Sequence, residues 1–250
     1  MFRIKYPVGN VIKRVFQGSL KPLDEVPMSV SESGLLIRAL SPDKNLMVEI
    51  NMPQTAFEEF EVDKETSVVV ERTSFLRVFR RTTRRDSVVM MYEDGSRDLK
   101  VILINTKSGT ERSYSVDVKE VGVELIGSIN VDLSVKFQID SDELRKIIRD
   151  AKLVNEHLEL IYSEGQVEVR STSENKAFKQ ILMLDKPLYA LESKESHVSC
   201  KYDLDLLKTI ATSLTAGDVV TVEYGASLPL KMTLNLSDGT IINYWVAPRI

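Results

Sequence analysis

Ser31-Glu32-Ser33-Gly34, followed by Arg38 and Ser41, returns later in the chain as Ser163-Glu164-Gly165, followed by Arg170 and Ser173, at a shift of 131 or 132 residues. Outward from this pair the matches continue. Asp86-Ser87-Val88 is answered by Asp218-Val219-Val220, Leu99-Lys100 by Leu230-Lys231, and Gly109-Thr110 with Tyr114 by Gly239-Thr240 with Tyr244, the shift sliding to 130. Apolar positions at helical spacing follow as well: Ile12, Val15 and Phe16 fall on Leu144, Ile147 and Ile148, and Phe75, Val78 and Phe79 on Leu207, Ile210 and Ala211, all at a shift of 132. One match is cheap, but ordered matches along the whole chain mark an internal duplication. They predict two similar domains, 1–117 and 134–250, joined by a connector over 118–133.

Each half carries the same rhythm twice, a helix followed by strands. Periodicity near 3.6 predicts helices over Val11 to Leu20, Ser74 to Thr83, Asp142 to Lys152 and Leu204 to Leu214. Alternating or β-branched runs predict strands over Pro27 to Ser31, Leu35 to Leu40, Leu46 to Met52, Ser67 to Arg72, Val88 to Tyr92, Leu99 to Ile104, Arg112 to Val116 and their second-half counterparts. Four short helices cannot cover both faces of so many strands. The expected class is therefore α+β, with two helices per domain laid on antiparallel sheets. At 250 residues and 43% hydrophobic, the chain is long and apolar enough for two folded domains.

Net charge is only −4, from 33 basic and 37 acidic residues, so bulk electrostatics do not point to nucleic acid. The distribution does. Reading Thr73 to Asp86 as helical sets Phe75, Leu76, Val78 and Phe79 on a buried stripe and Arg77, Arg80, Arg81 and Arg84 on another face, with Arg85 beside them. The third helix brings Arg145, Lys146, Arg149 and Lys152, and the first brings Lys13 and Arg14 with Lys21 just beyond. The fourth departs, with Lys208 alone. Thirteen basic residues thus gather on the helices, while most acids lie elsewhere. Cations without interleaved aromatics suit phosphates better than stacked bases, which favours sequence-independent binding of duplex DNA.

Enzyme signatures are absent: there is no Gly-x-Gly, no Gly-x-x-x-x-Gly-Lys loop, no Gly-x-Ser-x-Gly elbow and no His-Glu-x-x-His. Asp140, Asp142 and Glu143 could bind a nuclease metal, but their place at the start of the third helix suits the helix dipole, and Asp203 is a candidate N-cap of the fourth. Cys200 alone forms no internal disulfide, and with only His157 and His197 no Cys/His zinc cluster assembles. No cofactor and no metal are expected. The longest aliphatic runs, Val88 to Met91 and Val101 to Ile104, are too short to span a bilayer, and the N-terminus has no apolar leader region, so a soluble, intracellular protein without a membrane partner is expected.

The doubled domain, the basic helices, the segment Gly34 to Met52, Val121-Gly122-Val123, the Leu228-Pro229-Leu230 run and the ending Tyr244-Trp245-Val246-Ala247-Pro248-Arg249-Ile250 together resemble the sliding DNA clamps of the proliferating cell nuclear antigen type, particularly archaeal ones. The resemblance spans the chain. It implies a ring of three subunits, identical or paralogous, whose helices line a hole for duplex DNA, and which tethers DNA polymerase and other replication and repair enzymes without catalysis of its own. It also implies a clamp loader that opens the ring, association with chromosomal DNA, and docking of the polymerase, flap endonuclease and ligase through a short peptide, the PIP box. The implied peptide pocket uses Leu40, Met47, Val121, Val123, Ile126, Pro229, Trp245, Val246, Ala247 and Pro248. Subunits would join by pairing the strand near Glu111 to Asp117 with that near Asn175 to Leu182 of the next chain. Asn45, where an aliphatic residue is common, and the cation-poor fourth helix depart from the pattern. The alternative reading is a structural duplex-binding protein that coats DNA without encircling it.

Overall fold

The computed structural model describes residues 1–249; Ile250, the last residue of the terminal motif, lies outside them. The chain forms two compact units. One comprises Met1–Pro42, Val48–Gly127 and Leu236–Ile242; the other comprises Asp43–Met47, Ser128–Asn235 and the segment from Asn243.

The strands and helices of the first half are β1 (Phe2–Tyr6), α1 (Gly9–Ser19), β2 (Glu25–Ser31), β3 (Gly34–Leu40), β4 (Leu46–Pro53), β5 (Glu59–Val62), β6 (Thr66–Glu71), α2 (Arg72–Phe79), β7 (Asp86–Tyr92), β8 (Asp98–Asn105) and β9 (Glu111–Val121). Hydrogen bonding runs β3-β2-β6-β9-β8-β7-β1-β5. Period-two alternation sets the inner face: in β1, Phe2, Ile4 and Tyr6 are buried while Arg3 and Lys5 are only half-buried. The second half continues with β10 (Val135–Asp140), α3 (Ser141–Lys152), β11 (His157–Ser163), β12 (Gln166–Thr172), β13 (Ala177–Leu184), β14 (Pro187–Leu188), β15 (Ala190–Ser193), β16 (His197–Asp203), α4 (Leu204–Ala211), β17 (Val219–Tyr224), β18 (Leu230–Asn235), β19 (Ile241–Val246) and β20 (Pro248–Arg249). Here β15-β10-β17-β18-β19 form one ladder and β14-β13-β12-β11-β16-β20 another.

Register repeats with the sequence. Met28 stands opposite Ile37 on one side and Val68 on the other. Leu160 stands opposite Val169 and Cys200, each 132 positions later than its counterpart. A one-residue slip would turn every buried side chain outward, so a shared register carries a shared core face. Helix starts repeat too: the Glu71 carboxylate accepts from the amides of Thr73 and Ser74 at 2.7 and 2.6 Å, and Asp203 accepts from Asp205 and Leu206 at 2.7 and 3.2 Å. Asp140 caps α3 in the same way through Asp142 and Glu143. Each cap satisfies amides that a helix start leaves without partners.

Two helices stop earlier than the periodicity predicts. α2 ends at Phe79, so Arg80, Arg81 and Arg84 do not continue a helical face with Arg77; they lie in the turns that follow. The reason is tertiary. Thr82 is buried, its hydroxyl 2.8 Å from the Phe79 carbonyl and 3.2 Å from that of Gly9. Thr83 gives its amide and hydroxyl to the buried Asp86 carboxylate at 2.7 and 2.8 Å, which turns the chain into β7. α4 likewise ends at Ala211, short of the expected Leu214; Ser213 is fully buried in a following 3₁₀ turn, Ser213–Ala216.

Candidate nucleic-acid interface

In the first unit the two helices meet through rings. Phe16 lies 5.5 Å from Phe75 and 4.9 Å from Phe79, and all three are fully buried. With that stripe turned inward, the cations turn out. Arg14, Lys21, Arg77, Arg80, Arg81, Arg84 and Arg85 are exposed and Lys13 is half-buried. Backbone carbonyls anchor part of the surface: Lys13 Nζ donates to the carbonyl of Arg80 at 3.0 Å, and Arg72 Nη1 to that of Lys21 at 2.8 Å. Among the described residues, Arg77, Arg80, Arg81, Arg84 and Arg85 have no carboxylate partner. Segments 9–21 and 72–85 together hold nine basic residues and no acidic one. Arg72, read from the sequence as the end of a strand, opens α2 and belongs to this surface; its signal was the acidic cap just before it.

The second unit uses the same scaffold with different charge. Leu144, Ile147 and Ile148 of α3 and Leu207 and Ile210 of α4 are buried. On the outside each α3 cation meets a carboxylate: Arg145 with Asp142 at 2.7 Å, Lys146 with Glu143 at 3.3 Å, Arg149 with Asp150 at 3.2 Å, and Lys152 with Asp205 of α4 at 2.7 Å. Lys208 is exposed and has no carboxylate partner among the described residues. Segments 141–153 and 204–212 hold five basic and four acidic residues.

The stretch expected as a connector begins as strand, because β9 runs on to Val121 and pairs with β6, Val68 opposite Val121 and Val70 opposite Val118. Beyond it the chain bends at Gly122, whose φ of 74° favours glycine. Arg38 Nη1 then donates to the Ile126 carbonyl at 3.0 Å and also pairs with Glu49, a role that the sequence left unassigned although Arg38 recurs as Arg170. Between this stretch and the sheet lies a groove of about 710 Å³ lined by Leu40, Val123, Leu125 and Ile126, with Asp24, Glu25 and Glu120 among its charged residues. Val121 and Val123 border a second cavity of about 910 Å³. Leu40, Val121 and Ile126 are exposed.

The remaining expected pocket residues lie in the second unit. Met47, Trp245 and Val246 are buried, at 2%, 6% and 0% exposure, and Lys231 Nζ sits 5.3 Å from the Trp245 ring centroid. Pro229 is half-buried after Leu228, whose carbonyl accepts from Tyr202 at 2.9 Å. Ala247 and Pro248 line a cavity of about 880 Å³ with Asn45, His157 and Arg249, and the Ala247 amide donates to the Asn45 carbonyl at 2.8 Å. Among the described residues two strand edges are open: residues 111–117 of β9 pair only with β8, and β13 has β12 along its length but on its other side only β14, at Met183 and Leu184. No described helix is long and apolar enough to cross a membrane.

Comparison with known proteins agrees with this fold. The family profile of the proliferating cell nuclear antigen N-terminal domain matches residues 1–125. DNA polymerase sliding clamp 2 of Sulfurisphaera tokodaii is 27% identical over the full length of both chains. A crystal structure of PCNA from Thermococcus kodakaraensis superposes with a TM-score of 0.92 at 22% identity, covering both chains completely. Another, a PCNA2-PCNA3 complex from Sulfolobus tokodaii, superposes at 0.87 with 22% identity over 99% of each chain.

Proposed function

The chain belongs to the proliferating cell nuclear antigen family, and on that premise we propose how it works as a DNA polymerase sliding clamp. The ring encircles duplex DNA and holds polymerase at its template, and it performs no chemistry itself. The observation that carries this reading is the single-signed surface of segments 9–21 and 72–85, nine cations without an acid, on a chain whose net charge is negative. Such a surface contacts phosphates without reading bases, and contacts that form and release independently of sequence permit sliding. Lys13, Arg14, Lys21, Arg77, Arg80, Arg81, Arg84 and Arg85 face DNA from the first unit, and Arg145, Lys146, Arg149, Lys152 and Lys208 from the second.

Three subunits close the ring by pairing the open edge of β9 with the open edge of β13 in the next copy, since an unpaired strand edge is a template for another chain. The groove under Val123 and Ile126 accepts the apolar residues of a partner's PIP-box peptide, the route by which polymerase, clamp loader, flap endonuclease and ligase engage the clamp.

Primer extension by a DNA polymerase separates encircling from coating. With its loader, the clamp stimulates synthesis on a primed circle and loses that effect on a linear template with free ends, because a ring slides off. Equal stimulation on both templates would favour a coat and defeat the reading.

A further inference from the structure

We propose that phosphate contact by this clamp is carried by the first unit and is muted in the second, although the two halves share one backbone plan; the proposal rests on the DNA-facing reading above. In the first unit, Arg77, Arg80, Arg81 and Arg84 are exposed with no carboxylate partner among the described residues, and the segments that bear them contain no acid. In the second, Asp142, Glu143 and Asp150 stand 2.7 to 3.3 Å from the cations of the same helix, and Asp205 2.7 Å from Lys152.

Two effects follow from those carboxylates. A cation already beside a carboxylate neutralises a phosphate less completely, so fewer of the counterions condensed on the DNA are released, and that release supplies essentially all of the sequence-independent affinity for duplex DNA. Each acid also lies well inside the screening length of about 8 Å at physiological salt, so an approaching phosphate meets its repulsion along with the cation's attraction. In the first unit Arg77, Arg80, Arg81 and Arg84 have no carboxylate partner among the described residues, and the acids nearest in sequence, Glu71 and Asp86, flank the arginine-bearing segment and are engaged with Thr73, Ser74 and Thr83. Duplication therefore supplies two similar helix platforms, and this sequence has charged one and neutralised the other.

The test uses the full-length protein, a short fluorescent duplex of mixed sequence and anisotropy titrations across a salt series. Arg77→Ala/Arg80→Ala/Arg81→Ala/Arg84→Ala is expected to lower the slope of log Kobs against log salt by about 0.9 for each phosphate that is no longer neutralised. Arg145→Ala/Lys146→Ala/Arg149→Ala/Lys152→Ala is expected to change that slope by less than the value for a single phosphate, about 0.9. Asp142→Asn/Glu143→Gln/Asp150→Asn should raise affinity and slope above wild type. The first-unit quadruple Arg→Lys variant keeps the charge and should retain the wild-type slope, so that a reduced slope there as well would mean that altered structure, not missing charge, weakens binding, and would overturn the proposal. Equal reductions of slope in the two alanine variants would overturn the asymmetry and leave the DNA-facing reading intact. No reduction in either would remove the DNA-facing reading itself. No gain from the acid substitutions would overturn the role given to the paired carboxylates.

Discussion

At equivalent positions the first helix pair packs Phe16, Phe75 and Phe79, and the second has Ile148, Leu207 and Ala211. The rings stand 4.8 to 5.5 Å apart and are fully buried, whereas Ala211 is partly exposed. The backbone registers nonetheless coincide, with Met28 and Leu160 facing partners at the same offset. Ladder register and the acidic caps of α2 and α4 are shared constraints, because a slip in either exposes apolar area or strands backbone amides. Side-chain volume between the helices and charge outside them are constrained within each unit alone, and in both respects the halves differ. The comparison separates what the repeated plan requires from what each copy can alter.

The largest expected effect breaks the ring cluster. Phe79→Ala gives the first unit the residue that the second has at Ala211, yet here it empties a fully buried site between two rings, and a loss of about 3 to 5 kcal/mol is expected. Urea unfolding measures it. A loss under about 1 kcal/mol would mean that the first unit can close around alanine as the second does, and that the rings do not distinguish the halves.

Next is the helix start. Gly9 of α1 occupies the place of Ser141 of α3, but a Cβ at Gly9 would stand 2.8 Å from the carbonyl oxygens of both Thr83 and Asp86. Thr83 lies in the turn that ends the arginine-bearing segment, and Asp86 opens β7 just after it. Gly9→Ala is expected to cost about 1 to 3 kcal/mol, because backbone on both sides must move. Thermal unfolding checks it, and wild-type stability would show that the turn after α2 is free to shift.

Most of the strand segments are legible in the sequence because burial and alternation coincide, and the duplication repeats them in the second half, but their order in the sheets is not. β1 was missed, although Phe2, Ile4 and Tyr6 alternate with Arg3 and Lys5 in plain view. A five-residue strand at a chain end has only three apolar positions, too few to outweigh its terminal place. The end of α2 could not be read from periodicity: Arg80, Arg81 and Arg84 keep helical spacing, and the stop comes from Thr82 binding the Gly9 carbonyl, seventy-three residues away. The cationic surface was legible by composition. The pairing that mutes it in α3 was not singled out, although Asp142 with Arg145 and Glu143 with Lys146 sit at i,i+3 spacing in the sequence. Lys152 with Asp205 needed the fold, since the two lie on different helices.

The caps offer a smaller contrast with a pH signature. Burial works against the charge of Glu71, but the amides and hydroxyls of Thr73 and Ser74 outweigh it and hold the carboxyl down at about 2. A carboxyl whose folded pKa is depressed stabilises the fold above its unfolded value of about 4.3, and that contribution is lost as pH falls through the folded value. Glu71→Ala is therefore expected to cost about 0.5 to 2 kcal/mol near neutrality, with the gap to wild type closing as pH falls from about 4.3 towards 2. Urea midpoints over a pH series report it. A gap that stays constant through that window would show that Glu71 stabilises by packing and not as a charged cap.

The smallest effect sharpens the comparison most, because it asks whether the ion pairs of α3 exist for stability. Arg145 and Asp142 are an i,i+3 pair on an exposed face, the carboxylate 73% exposed, and pairs of that kind contribute about 0.2 to 0.5 kcal/mol. A double-mutant cycle of Arg145→Ala and Asp142→Ala should return a coupling energy in that range, falling towards zero as salt rises past the screening limit. Coupling well above about 1 kcal/mol would make the pair part of what holds α3 in place, and the acids of the second unit would then need no relation to DNA. Coupling within the expected range leaves stability nearly indifferent to these acids. Their main physical consequence is then electrostatic: they reduce the positive potential of a helix surface whose counterpart in the first unit bears no acid at all.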